Sequence, residues 1–283
     1  MREGPHHPGP APGGEALGAF ALDTAVVLVW LGLAALYLVA GRAGVLRGRT
    51  GWPLRRTTAW LIGTGFGVVA TAGPLAQAAG SSLTAHMAAH LLLGMLVPLL
   101  LVLGAPGTLF LRAVSARTGR HYARLAGSAP VRLAAHPLMA GLLAAGPTAV
   151  LYWDPAAFAL LHHPVSGPLL HVHFVAAGTL FAYAVVGPDP NPHRAAPWLR
   201  GVAILTTIAV HAVVGKHLYA VAGQGSWPSD AEQAAQLMYY GGDAVHVLLL
   251  VVFCTQVYRT AGRRLRRRAT PSARGRLGSA GAA

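Results

Sequence analysis

Seven apolar stretches, each close to the length of a bilayer crossing, constrain this chain more than any other feature. They are Leu22 to Ala40, Thr58 to Gln77, Thr84 to Leu103, Pro137 to Trp153, Leu169 to Val186, Leu199 to Tyr219 and Gln236 to Tyr258. A helix rising about 1.5 Å per residue needs about 20 apolar residues to cross a hydrocarbon core about 30 Å thick. Lipid offers no partners to backbone N–H and C=O groups, so runs of this kind must pair their backbone internally as helices. The expected fold is therefore all-α: a polytopic transmembrane helix bundle of about seven spans. Apolar residues make up 54% of the chain and charged residues 11%, too few charges for the surface of a soluble protein of 283 residues.

Charge placement orients the bundle. All but two of the 22 Lys and Arg fall in the segments 41–57, 104–136, 187–200 and the stretch after Tyr258; the exceptions are Arg2 and Lys216. The positive-inside rule then puts the N-terminus outside and the C-terminus in the cytoplasm. Residues 1 to 16, rich in Pro and Gly, are expected to form a disordered extracytoplasmic tail, residues 17 to 258 the bundle, and residues 259 to 283 a basic, disordered cytoplasmic tail. One N-terminal Arg is too little for a signal peptide, and the first apolar block reads as an uncleaved anchor. The net charge of +14 does not imply nucleic acid, because the run Arg263, Arg264, Arg266, Arg267, Arg268 directly follows a span and suits anionic lipid. Arg112, Arg117, Arg120 and Arg124 suggest a helix on the cytoplasmic surface.

Histidines are concentrated toward the other side. His86 and His90, one helical turn apart on one face, lie in the first two turns of the third span, about 3 to 9 Å below its outer end. His171 and His173 open the fifth span from the same side, pointing in nearly opposite directions if helical. His211 lies about 12 Å below the outer end of the sixth span, and Asp243 and His246, at i and i+3, about 10 to 15 Å into the seventh. Met87, Met95 and Met238 are expected in this same half of the membrane. Imidazole with thioether suits copper, especially cuprous copper, whereas calcium or magnesium would need oxygen ligands. Asp243 is read as a ligand or as an acceptor that orients a histidine. Structural readings stand beside this one: a single intramembrane histidine often packs or bridges helices, and methionine fills cores. Cys254, the one cysteine, reads as core. Pro98 and Pro147 should kink the third and fourth spans.

The motif His86-Met-Ala-Ala-His90-Leu-Leu-Leu followed by Pro98-Leu-Leu-Leu-Val-Leu-Gly-Ala-Pro106 resembles the CtaG family of bacterial cytochrome c oxidase assembly factors. Weaker likenesses follow in order: His136-Pro137, Leu170-His171-Val-His173-Phe-Val-Ala-Ala-Gly178 and Gly241-Gly242-Asp243. The resemblance covers about residues 60 to 258. It departs at the end of the fourth span, where the family often has Trp-His-x-Pro and this chain has Trp153-Asp154-Pro155. His246 rests on its spacing from Asp243 and is not carried over from the family.

The resemblance implies a multi-pass plasma-membrane protein that helps mature a haem–copper oxidase. Combined with the histidine cluster, the expectation is a non-enzymatic metallochaperone. Copper, as Cu(I), would be held transiently by His86, His90, one of His171 or His173, and His211 or His246, then passed to a cytochrome c oxidase subunit. The competing readings are a copper or proton transporter and a haem-binding membrane electron carrier. Oligomeric state is not legible in the sequence.

Overall fold

A computed structural model describes residues 12–161, 163 and 165–269. Residues 1–11 and 270–283, parts of the two tails expected to be disordered, lie outside those residues, as does His162, whereas residues 12–16, expected to belong to the N-terminal tail, are the first of α1. Every regular element among the described residues is helical. The chain runs through α1 (Pro12–Leu46), α2 (Leu54–Thr71), α3 (Pro74–Ala79) and α4 (Leu83–Leu91), which continues through a π-helical turn, Leu92–Leu96, into α5 (Val97–Leu103). Three short helices follow, α6 (Pro106–Ala113), α7 (Ala116–Ala126) and α8 (Ala129–Ala134). After them come α9 (Pro137–Trp153), α10 (Pro155–Phe158), α11 (Ser166–Val186), α12 (Pro197–Val221) and α13 (Ala231–Ala269).

Five segments are long and apolar enough to cross a membrane: Ala21–Leu46, Leu83–Leu103, Ser166–Val186, Pro197–Gln224 and Ala231–Arg266. The two other expected crossings are shorter. The fourth block forms α9 over the predicted residues, 17 of them. The second block divides after Thr71, because Gly73 takes φ +84° and Pro74 opens a new helix without a donor to continue the old one. The basic segment after Tyr258, expected to be a disordered tail, is helical as far as Ala269. Arg, Leu and Ala are good helix formers, and Gly262 alone does not stop α13.

Several of the packed pairs run parallel: the starts of α4 and α13 meet at Ser82 and Asp230, and the ends of α9 and α12 meet at Trp153 and His217. Helix α12 packs on α9 and α13, α13 on α4, α11 on α5 and α9, and α2 on α5, while α1 lies outside against α2 and α6. Only 11% of the Ala21–Leu46 window is buried, so α1 turns most of its apolar surface outward. Two close approaches need glycine. A Cβ on Gly67 would stand 2.6 Å from the Trp30 indole, and one on Gly178 would collide with the Gly94 carbonyl in the π turn.

That π turn is the local answer to Pro98, which supplies no N–H to the Gly94 carbonyl. The expected kink site is thus a widened turn whose free carbonyl is met by the bare backbone of α11 at Gly178. Pro147 poses the same problem within α9, freeing the Leu143 carbonyl, and α11 meets that one too: His173 Nε2 donates to it at 3.0 Å.

Aspartates pin both ends of the α4–α6 stretch. At one end, Asp230, just before α13, accepts from Ser82 Oγ at 2.7 Å and from the Thr84 N–H at 2.9 Å, capping α4. Burial pushes the Asp230 carboxyl up, but the donors from Thr84, Ser82 and Leu83 outweigh it and hold it below its ordinary value. At the other end, Asp189, in the α11–α12 connection, accepts from the N–H groups of Gly107 and Thr108 at 2.9 and 2.7 Å, capping α6. We call the Asp230 end the histidine end and the Asp189 end the arginine end.

Candidate functional site

His90 on α4, His211 on α12 and His246 on α13 converge on one internal cavity of about 60 Å³. Its wall is otherwise mostly apolar, with Phe174, Phe181 and Leu249, and it includes Met95, Thr148 and Thr207. The His90 and His211 rings lie 6.4 Å apart, centre to centre, and nearly parallel, while those of His211 and His246 meet edge-on at 5.4 Å.

Each imidazole keeps one ring nitrogen buried and without a hydrogen-bond partner: Nδ1 of His90, Nε2 of His211 and Nδ1 of His246. Buried polar atoms are rarely left so, because an unmade bond costs about 1–3 kcal/mol. Three such nitrogens belong to side chains that line one cavity.

The helices bring these rings together through small residues on α13. A Cβ on Gly242 would collide with the His211 ring, and one on Gly241 would stand 2.7 Å from Leu91 Cδ1. The Gly241-Gly242 pair therefore lets α13 receive both α4 and the imidazole of α12. Asp243 follows, half-buried and close enough to His246 to act on it electrostatically.

The other expected ligands stand apart. His86 lies one turn outward of His90, bonded through Nε2 to the Tyr152 hydroxyl at 2.9 Å, and packs edge-on against Phe158. Tyr152 is fully buried and stands edge-on to His90 as well, at 5.3 Å. His173 is engaged with the Leu143 carbonyl, and His171 is exposed. Neither lines the cavity, and among the described residues no three His, Cys, Asp or Glu side chains stand close enough together to hold a metal ion. Met87 and Met238 are fully buried in the apolar core at the histidine end, so Met95 is the methionine that reaches the cavity. The sequence reading missed Thr148 and Thr207, whose hydroxyls bond back to Ala144 and Ala203 within their own helices. It also missed Tyr152, whose only signal was its place beside Trp153-Asp154-Pro155. Asp154 itself caps α10 through the Ala156 N–H, a structural role where the family often has histidine.

A family model for the cytochrome c oxidase caa3 assembly factor (Caa3_CtaG) matches residues 35–260. The chain belongs to that family. The match contains the cavity and both aspartate caps. An uncharacterised protein of Mycobacterium leprae is 33% identical over 186 residues, 62% of this chain and 28% of its own length. Uncharacterised proteins of Mycobacterium bovis and Mycobacterium tuberculosis are each 34% identical over 169 residues, 56% of this chain and 25% of theirs. The chain thus spans about a quarter of the length of these relatives. No solved structure matches it.

Proposed function

We propose that this family member is a plasma-membrane assembly factor for a haem–copper cytochrome c oxidase, and that its histidine cavity carries cuprous copper to an oxidase subunit. In this reading the bundle crosses the membrane seven times, α2 and α9 included, with the N-terminus outside and the arginine end cytoplasmic. The single observation that carries the copper reading is the set of three partnerless imidazole nitrogens around one cavity.

Copper here is cargo, and the geometry suits a loose hold. Adjacent imidazole pairs, His90 with His211 or His211 with His246, offer two nitrogens at a time, and Met95 adds a thioether on the wall. Cuprous ion tolerates so few donors and favours soft or borderline ones. A hold without a full ligand set allows the ion to leave, as delivery requires. His86, with Tyr152, stands between this cavity and the histidine end, on the side from which an oxidase subunit would approach. No group on the protein is asked to make or break a bond in a substrate, so the reading is non-enzymatic.

Two observations weigh against the rival readings. A transporter needs polar groups continuing toward the arginine end, but Arg200 and Gln256 there are engaged with the Val185 and Val186 carbonyls. A haem carrier needs a pocket in the range of about 300–1,000 Å³ typical of small-molecule sites, and the cavity is far smaller.

Copper content of the detergent-purified protein from copper-supplemented cells tests the proposal. Near-stoichiometric copper in the wild type, lost in His90→Ala/His211→Ala and kept in His171→Ala, is the expected result. A monodisperse wild type without copper would overturn it.

A further inference from the structure

At the arginine end, a groove of about 520 Å³ opens beside α1, lined by Tyr37, Leu38, Arg42, Val45, Leu46 and Trp52. Its floor is rigid. Tyr37 donates to the Gly104 carbonyl at 2.7 Å, accepts from the Trp52 indole at 2.7 Å, and stacks on Trp60 at 4.7 Å. The Trp52 ring in turn carries two guanidinium groups, Arg56 at 4.9 Å and Arg112 at 5.2 Å from its centre. Arg112 donates to the Thr50 carbonyl, and its Nε is buried without a partner.

Carboxylates are few near these cations. No Asp or Glu occurs between Asp23 and Asp154, and Asp189, the carboxylate of this end, already accepts three hydrogen bonds from Gly107 and Thr108. Arg56 and Arg112 on the two sides of one indole, with Arg42 on the wall of the same groove, repel one another, so an anion from outside the chain would relieve the site. The apolar wall says which kind. Leu38, Val45 and Leu46 are 44%, 51% and 87% exposed, forming an aliphatic strip that runs from the arginines along the outward face of α1. A free anion has no use for such a strip, whereas a lipid would lay its first acyl carbons on it. Basic pockets on the cytoplasmic side of helix bundles suit lipid phosphates in this way.

We propose that this groove binds an anionic glycerophospholipid. The phosphodiester is held by Arg42 and Arg56, with Arg112 closing the site from α6, and one acyl chain lies along Leu38, Val45 and Leu46. The site differs from the basic stretch of α13, and it rests on the membrane placement proposed above without requiring copper.

Native mass spectrometry of the delipidated full-length protein, titrated with phosphatidylglycerol or phosphatidylcholine of the same acyl chains, tests this. Selective retention of phosphatidylglycerol, weakened about tenfold by Arg42→Gln/Arg56→Gln and unchanged by Arg259→Gln/Arg263→Gln, is expected. Arg42 is exposed, so Arg42→Gln alone gives a smaller loss in a variant whose folding is not at stake. Equal retention of the two lipids would overturn the proposal, as would retention indifferent to Arg42. Displacement of phosphatidylglycerol by inorganic phosphate would also overturn it, marking a free-anion site. Copper content plays no part in the readout, so failure here leaves the copper reading standing, and the reverse.

Discussion

His173 Nε2 donates to the carbonyl oxygen of Leu143 at 3.0 Å, and that oxygen is the one Pro147 leaves without a backbone donor. A carbonyl only accepts, so the proton sits on Nε2. A histidine that looked like a ligand in the sequence is thus explained by a proline on the next helix.

His173→Ala should therefore destabilise the bundle by about 0.5–1.5 kcal/mol, and Pro147→Ala, which restores a backbone donor, should reduce that cost. A double-mutant cycle by unfolding in mixed micelles measures the coupling. Equal costs of His173→Ala in both backgrounds would contradict the assignment.

Gly242→Ala acts directly on the site. The new methyl would occupy the space of the His211 ring, which must swing away from His90 and His246. Copper should fall to the level of His211→Ala, with a loss of stability in the range of about 1–3 kcal/mol expected for overpacking. Gly178→Ala meets the backbone at Gly94 instead, so its thermal midpoint should fall further.

Acid should loosen the histidine end through Asp230. Its carboxyl is held below the ordinary value, so its bonds to Ser82 and Thr84 add stability that is complete above the ordinary aspartate pKa of about 3.9. That stability disappears as pH falls through the lowered folded-state value. Thermal midpoints in detergent from neutral to strongly acidic pH should fall more for the wild type than for Asp230→Asn, and the two curves should converge at the acid end. Near neutrality Asp230→Ala should cost about 1 kcal/mol, as for loss of a helix cap.

Asp189→Ala should free the start of α6. Exchange of the Gly107 and Thr108 amides should accelerate relative to the wild type, while copper content is unchanged because the cap lies at the opposite end from the histidines. Unchanged exchange would show that another group caps the helix.

Much of the architecture was written in hydropathy. The third, fourth, fifth and sixth apolar blocks appear as helices near their predicted bounds, because length and composition decide them in isolation, while the helices of the first and seventh run well past theirs. The second broke at Gly73-Pro74, where the proline was visible but was read as the interior of a longer run. For the site, depth along each helix put His86, His90, His171 or His173, His211 and His246 at similar levels, since rise per residue is fixed, and three of them, His90, His211 and His246, line one cavity. Helical spacing did not reveal how His86 and His173 are engaged. Those roles depend on Tyr152 and Leu143, residues of another helix whose rotation no periodicity records. The Gly241-Gly242 pair was legible only as a likeness until the His211 ring was seen lying against it.

The two aspartate caps have a mechanical consequence. Asp189 and Asp230 both belong to the later half of the chain, and they fasten the two ends of the stretch from Ser82 to Thr108, which belongs to the earlier half. That stretch behaves as a strut riveted at top and bottom. Rocking the halves against each other, the usual way to expose a buried ion alternately on two sides, would have to shear one rivet at every stroke. Under the copper reading proposed above, an ion at the His90 level would leave by side-chain motions near His86 and Tyr152, toward the histidine end.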